Sequence, residues 1–66
     1  MTEYTDLAER LDAIAEELAD IALDRLRAAL DDEGADRAAA EERLVTRARR
    51  RIVEAAELLR GGDRRE

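Results

Sequence analysis

The run Thr46-Arg47-Ala48-Arg49-Arg50-Arg51 holds the densest set of ligand-ready side chains in this 66-residue chain. Crowded guanidinium groups suit phosphate, because each planar fork can present two N–H donors to one anion. A basic cluster of this kind is one route to nucleic-acid binding through counterion release. Two features oppose that use. The whole chain carries a net charge of −6, which repels a polyanion, and no aromatic side chain accompanies the cluster to stack on bases.

Acid–base chemistry has carboxylates to draw on, in adjacent pairs such as Glu16-Glu17 and Glu41-Glu42. A general acid needs one carboxyl in an apolar pocket that raises its pKa. At helical spacing these pairs fall on polar faces. The chain has no His, Cys or Ser, and Thr2, Thr5 and Thr46 have no base at motif spacing. A nucleophile–base triad therefore cannot be assembled from it. The usual zinc and haem sites lose their ligands for the same reason, and so does the Glu-x-x-His element of carboxylate di-iron bundles. No Gly-rich loop opens a helix to cradle a nucleotide. The expectation is a protein without catalysis, metal or cofactor.

Apolar spacing dictates the elements that carry these charges. Leu7, Leu11, Ile14, Leu18, Ile21, Leu26 and Leu30 recur at helical intervals, with Ala22 and Ala29 beside them. Val45, Ala48, Ile52, Ala55 and Leu59 then alternate in steps of three and four, widened by Leu44, Ala56 and Leu58. Polar residues fill the opposite sides, as amphipathic helices require. No Leu, Ile or Val lies between Leu30 and Leu44, and Gly34 is followed by the fresh capping sequence Ala35-Asp36. The pattern predicts one all-α domain over residues 1–66. Its parts are a helix over about 5–32 capped by Thr5, a turn over about 33–35, and a helix over about 36–60 capped by Asp36. Gly61 is expected to close that second helix in the left-handed conformation, leaving 61–66 as a flexible tail.

Folding the chain back about Gly34 pairs residues whose numbers sum to roughly 68. That register sets Leu7 by Leu59, Leu11 by Ala55, Ile14 near Ile52, and Ile21 and Ala22 near Val45. Apolar stripes meet, so an antiparallel two-helix hairpin satisfies the local and tertiary patterns together. Its core is thin. There are nine Leu, three Ile and two Val against fourteen Ala, with no Phe, Trp or Cys. A chain this short seldom gains more than ~3–5 kcal/mol from its own core. Each helix of a hairpin is covered on one side only, and two hairpins joined as a four-helix bundle cover every stripe. The expectation is a homodimer whose interfaces draw on Leu7, Leu11, Ile14, Leu18, Ile21, Leu26, Leu30, Val45, Ala48, Ile52, Ala55 and Leu59.

Charge is divided unequally. Residues 1–33 hold eleven acids and three Arg, whereas residues 34–66 hold seven acids and nine Arg. Arg43, Arg47, Arg50 and Arg51 form a stripe whose members mostly repel within their own helix. The register puts Arg51 opposite Glu17, and Arg47 near Asp20 and Asp24, so Arg47, Arg50 and Arg51 are expected to face Glu16, Glu17, Asp20 and Asp24. This pairing would lie across the hairpin or across the dimer. The competing reading is the phosphate-binding patch described first.

The opening Leu7-Ala8-Glu9-Arg10-Leu11-Asp12-Ala13-Ile14 resembles the small subunit of bacterial exodeoxyribonuclease VII over a generic amphipathic pattern. That family breaks its first helix with a Gly-containing turn soon afterwards, and this chain continues through Ala19-Asp20-Ile21-Ala22-Leu23-Asp24 without one. The departure leaves the family unassigned. No apolar run approaches the ~20 residues that span a bilayer, and the N-terminus is acidic where a signal peptide is basic. A cytoplasmic location is expected. The function expected is a self-associating structural or protein-interaction module. The alternatives are an accessory subunit held by a heterologous helical partner, and a nucleic-acid binder using Arg47–Arg51.

Overall fold

A computed structural model describes residues 3–31 and 34–64. Two helices, α1 (Glu3–Ala28) and α2 (Ala35–Arg64), pack against each other as a hairpin. Abundant Ala, Leu, Glu and Arg favour helix throughout both segments, and no Pro interrupts either. Glu3 and Asp6 in the first turn of α1, and Arg25 and Arg27 in its last, complement the helix dipole.

The reversal between them is tight. After Ala28 the amides of Leu30 and Asp31 donate to carbonyls three residues back, both at 3.1 Å, which narrows the final turn. Gly34 adopts φ +76°, a left-handed conformation that costs an L side chain energy and glycine none. Its carbonyl accepts the Ala38 amide at 2.9 Å and so opens α2.

The helix limits differ from the expected ones. Thr5 lies inside α1, which already begins at Glu3, and so is not its N-cap. Asp36 sits in the first turn of α2, where its charge still favours the helix N-terminus. The first helix ends at Ala28, short of the expected end near residue 32, because the chain already tightens into the turn at Ala29, Leu30 and Asp31. Gly61 does not close α2, which runs on to Arg64. Glycine permits a left-handed cap without requiring one, and a helical glycine costs only about 1 kcal/mol. Residues 61–64 of the expected tail are therefore helical, while 65 and 66 lie outside the described residues.

The seam between the helices is built from small side chains. Ala8, Ala15, Ala38 and Ala56 are buried, and no large side chain among the described residues is fully so. Leu11, Leu18, Val45, Ile52 and Leu59 are half-buried around them. By register, Ala8 is level with Leu59, Ala15 with Ile52, and Ala56 with Leu11. By this register each of these alanines stands across from a larger residue. Asp12 meets Arg60 near the open end, and Arg25 meets Glu41 at 3.1 Å near the turn. The numbers of both pairs sum to within a few of the expected 68.

Four buried alanine methyls contribute only ~3 kcal/mol at about 0.8 kcal/mol each. The outline is that of a rod, 53 × 14 × 10 Å, with a radius of gyration of 15.2 Å. A compact chain of this length has a radius near 11 Å. Among the described residues, no helix is long and apolar enough to cross a membrane.

Candidate functional site

Successive helical residues point about 100° apart, so the ion pairs identify the two broad sides of the hairpin. The Arg60 guanidinium donates to the Asp12 carboxylate on one side. That bond, with the added attraction of Asp12, Glu9 and Glu57, holds the Arg60 guanidinium above its ordinary pKa against the opposing cost of burial. Ile14 lies about 200° around α1 from Asp12 and therefore on the other side. Leu7 and Ile21, seven residues to either side of it, continue the same row.

This row is the most continuous apolar surface of α1. Leu7, Ile14 and Ile21 are 40%, 44% and 42% exposed, although each is flanked in sequence by an alanine that enters the seam. On α2 the same side carries Ala48 and Ala55, and beyond them Leu44, Arg51 and Leu58. Leu44 and Leu58 are exposed. The result is a shallow apolar face, with Glu17 and Asp24 along its α1 edge and Arg51 and Arg47 along its α2 edge.

The arginine stripe occupies the outer surface of α2. Arg47, Arg50 and Arg51 are exposed and make no ion pair with any described residue. Glu42, Arg43, Thr46, Arg47 and Arg50 line an open groove there. All five belong to one helix, so no second element fixes their geometry. The Thr46 hydroxyl donates to Glu42 at 2.8 Å, which places a carboxylate in the groove and engages the only neutral donor. An anion would meet exposed guanidinium groups beside a negative charge.

The residues expected from the sequence divide into two groups. Leu11, Leu18, Val45, Ile52, Ala55 and Leu59 are half-buried, whereas Leu7, Ile14, Ile21, Leu26, Leu30 and Ala48 are exposed on the single hairpin. Glu16, Glu17 and Asp20 are exposed and unpaired with described residues, and Asp24 accepts a bond from its neighbour Arg25 at 3.0 Å. Within one hairpin, then, Arg51 and Glu17 do not meet, nor does Arg47 meet Asp20 or Asp24. The cross-helix pairs are Arg25–Glu41 and Arg60–Asp12 instead. Sequence reasoning missed both, together with the seam alanines Ala8, Ala15 and Ala38, although it placed Ala56 in the apolar stripe. A signal for the latter existed, because Ala8, Ala15, Ala22 and Ala29 recur every seven residues.

Comparison with family models, curated proteins and solved structures finds no match to this chain.

Proposed function

We propose that this chain is a non-catalytic helical interaction module that pairs with a second copy of itself as a four-helix bundle. One observation carries the reading. Leu7, Ile14 and Ile21 form a regular row, each at least 40% exposed, while the seam consumes alanines. Isolated exposed leucines are ordinary on any surface, but a continuous row with a seven-residue repeat is the mark of a helix that packs twice.

Surface area supports the same reading. The chain exposes 5191 Å². A compact monomer of its 7.4 kDa mass exposes about 4,200 Å². The excess of about 1,000 Å² matches the ~800 Å² that each partner buries in a standard interface.

Sedimentation equilibrium between about 1 and 100 µM tests the proposal, since stable homodimers of this size dissociate in or below that range. A dimer is the expected species. A folded monomer throughout would refute it. Capture of a heterologous helical protein in its place would favour the accessory-subunit alternative.

A further inference from the structure

We infer that the second copy docks with its α1 across α2 of the first, about a twofold axis parallel to the helices. The inference rests on the self-association just proposed and adds the order of the four helices. Two closed arrangements bring the exposed apolar faces of two hairpins together. With the twofold axis parallel to the helices, α1 of one copy covers α2 of the other. With the axis perpendicular to them and in the plane of the face, α1 covers α1 and α2 covers α2.

The edges of the face distinguish these arrangements. Glu17 and Asp24 border it along α1, three residues beyond Ile14 and Ile21. Arg51 borders it along α2, with Arg47 one turn away. Glu17, Arg47 and Arg51 all lack an ion partner among the described residues. Stacking like on like reverses height, so about the middle of the face it sets Glu17 against Glu17 and Arg51 against Arg51, while Asp24 and Arg47 meet Arg10 and Glu54 of the same rows. The parallel axis joins acid to base along both seams.

Height along the rod agrees. The hairpin register sets Glu17 level with Arg51, and Asp24 within about one turn of Arg47. A twofold axis parallel to the helices preserves height, so each acid faces the matching guanidinium of the other copy. Arg10, in the same row as Glu17, is level with Leu58 and meets no basic residue. Leu44 and Leu58, exposed on the single hairpin, are covered by the incoming α1.

Charge exchange tests the order of the helices. One variant carries Glu17→Arg with Asp24→Arg, a second carries Arg47→Glu with Arg51→Glu, and a third carries all four changes. Dissociation constants come from sedimentation equilibrium, with far-UV circular dichroism to verify that each variant is helical. Each double variant should dimerise about tenfold or more weakly than the parent, and the fourfold variant should return to within about threefold of it. Like-on-like stacking predicts no recovery in the fourfold variant, because it does not pair the exchanged charges with one another. Double variants within about threefold of the parent, or no recovery in the fourfold variant, would overturn the arrangement while leaving self-association intact. A parent chain that stays monomeric would overturn both.

Discussion

Ile14 and Ala15 are neighbours in sequence with opposite surroundings, and substituting Ile14 with Ala separates the two layers of this structure. Ile14 is 44% exposed on the hairpin, whereas Ala15 is 4% exposed in the seam. Burying a whole aliphatic side chain of this size contributes ~2–3 kcal/mol, so covering the exposed 44% contributes ~1 kcal/mol per copy. Each dimer holds two such residues. Ile14→Ala should therefore cost ~2 kcal/mol of association and raise the dissociation constant ~30-fold. The variant dimer should keep its helices, because Ala favours helix more than Ile does. Sedimentation equilibrium gives the first quantity, and circular dichroism at a concentration that saturates the dimer gives the second. Two results would refute the reasoning. An unchanged dissociation constant would mean that this row does not face the partner. Loss of helix in the saturated dimer would mean that Ile14 belongs to the hairpin core.

Further substitutions probe the hairpin itself. Ala15→Leu adds three carbons to a filled seam and should cost about 1–3 kcal/mol in urea denaturation. Gly34→Ala should cost about 1 kcal/mol by the same measurement, because the left-handed backbone strains an L residue. That loss is one of backbone conformation, since a Cβ at Gly34 would meet nothing within 4 Å. Asp12→Asn removes the tie to Arg60 and should lower amide-exchange protection in the last turns of α2, with little effect near Gly34. Added salt should act in the same direction. Because the folded Arg60 pKa lies above its ordinary value, its contribution is complete below that ordinary value. It is lost only as pH rises through the raised pKa, so Arg60 brings no pH dependence near neutrality.

The two helices and their reversal were legible in the spacing of Leu, Ile and Val and in the position of Gly34. The seam was not. A stripe drawn through the largest residues from Leu7 to Ile21 straddles two rows, one that enters the seam at Leu11 and Leu18 and one that faces away from it. The row that packs most deeply is marked by alanine, which also abounds on helices that contact nothing, because it is the best helix former. Its seven-residue repeat signals contact, but its size does not. The charged contacts were legible in sign only. Which acid meets which Arg depends on how each helix is rotated, and a rotation of one residue's arc exchanges Asp12 for a neighbouring acid. Gly61 escaped the reading because glycine announces a possible helix end, whereas the contacts beyond it decide whether the helix stops.

A seam of alanines and an outer row of larger residues are consequences of one another. Small residues let two rods approach closely, but their methyls contribute only ~3 kcal/mol in all, which does little to offset the entropy of ordering some sixty residues. Leu11, Leu18, Val45, Ile52 and Leu59 are only half-buried beside them, and Leu7, Ile14, Ile21, Leu44 and Leu58 point outward, where only another chain can cover them. Folding and association should therefore be coupled, and stability should depend on protein concentration. For a dimer that unfolds to two chains, each tenfold rise in concentration adds about 1.4 kcal/mol per dimer. For about 130 residues unfolding together, that amounts to several degrees in melting temperature. Thermal melts followed by circular dichroism from about 1 to 100 µM should accordingly shift upward by roughly 5–10 °C. Melts that superimpose across that hundredfold range would place the entire stability inside a single hairpin, and the row at Leu7, Ile14 and Ile21 would then be surface without a partner.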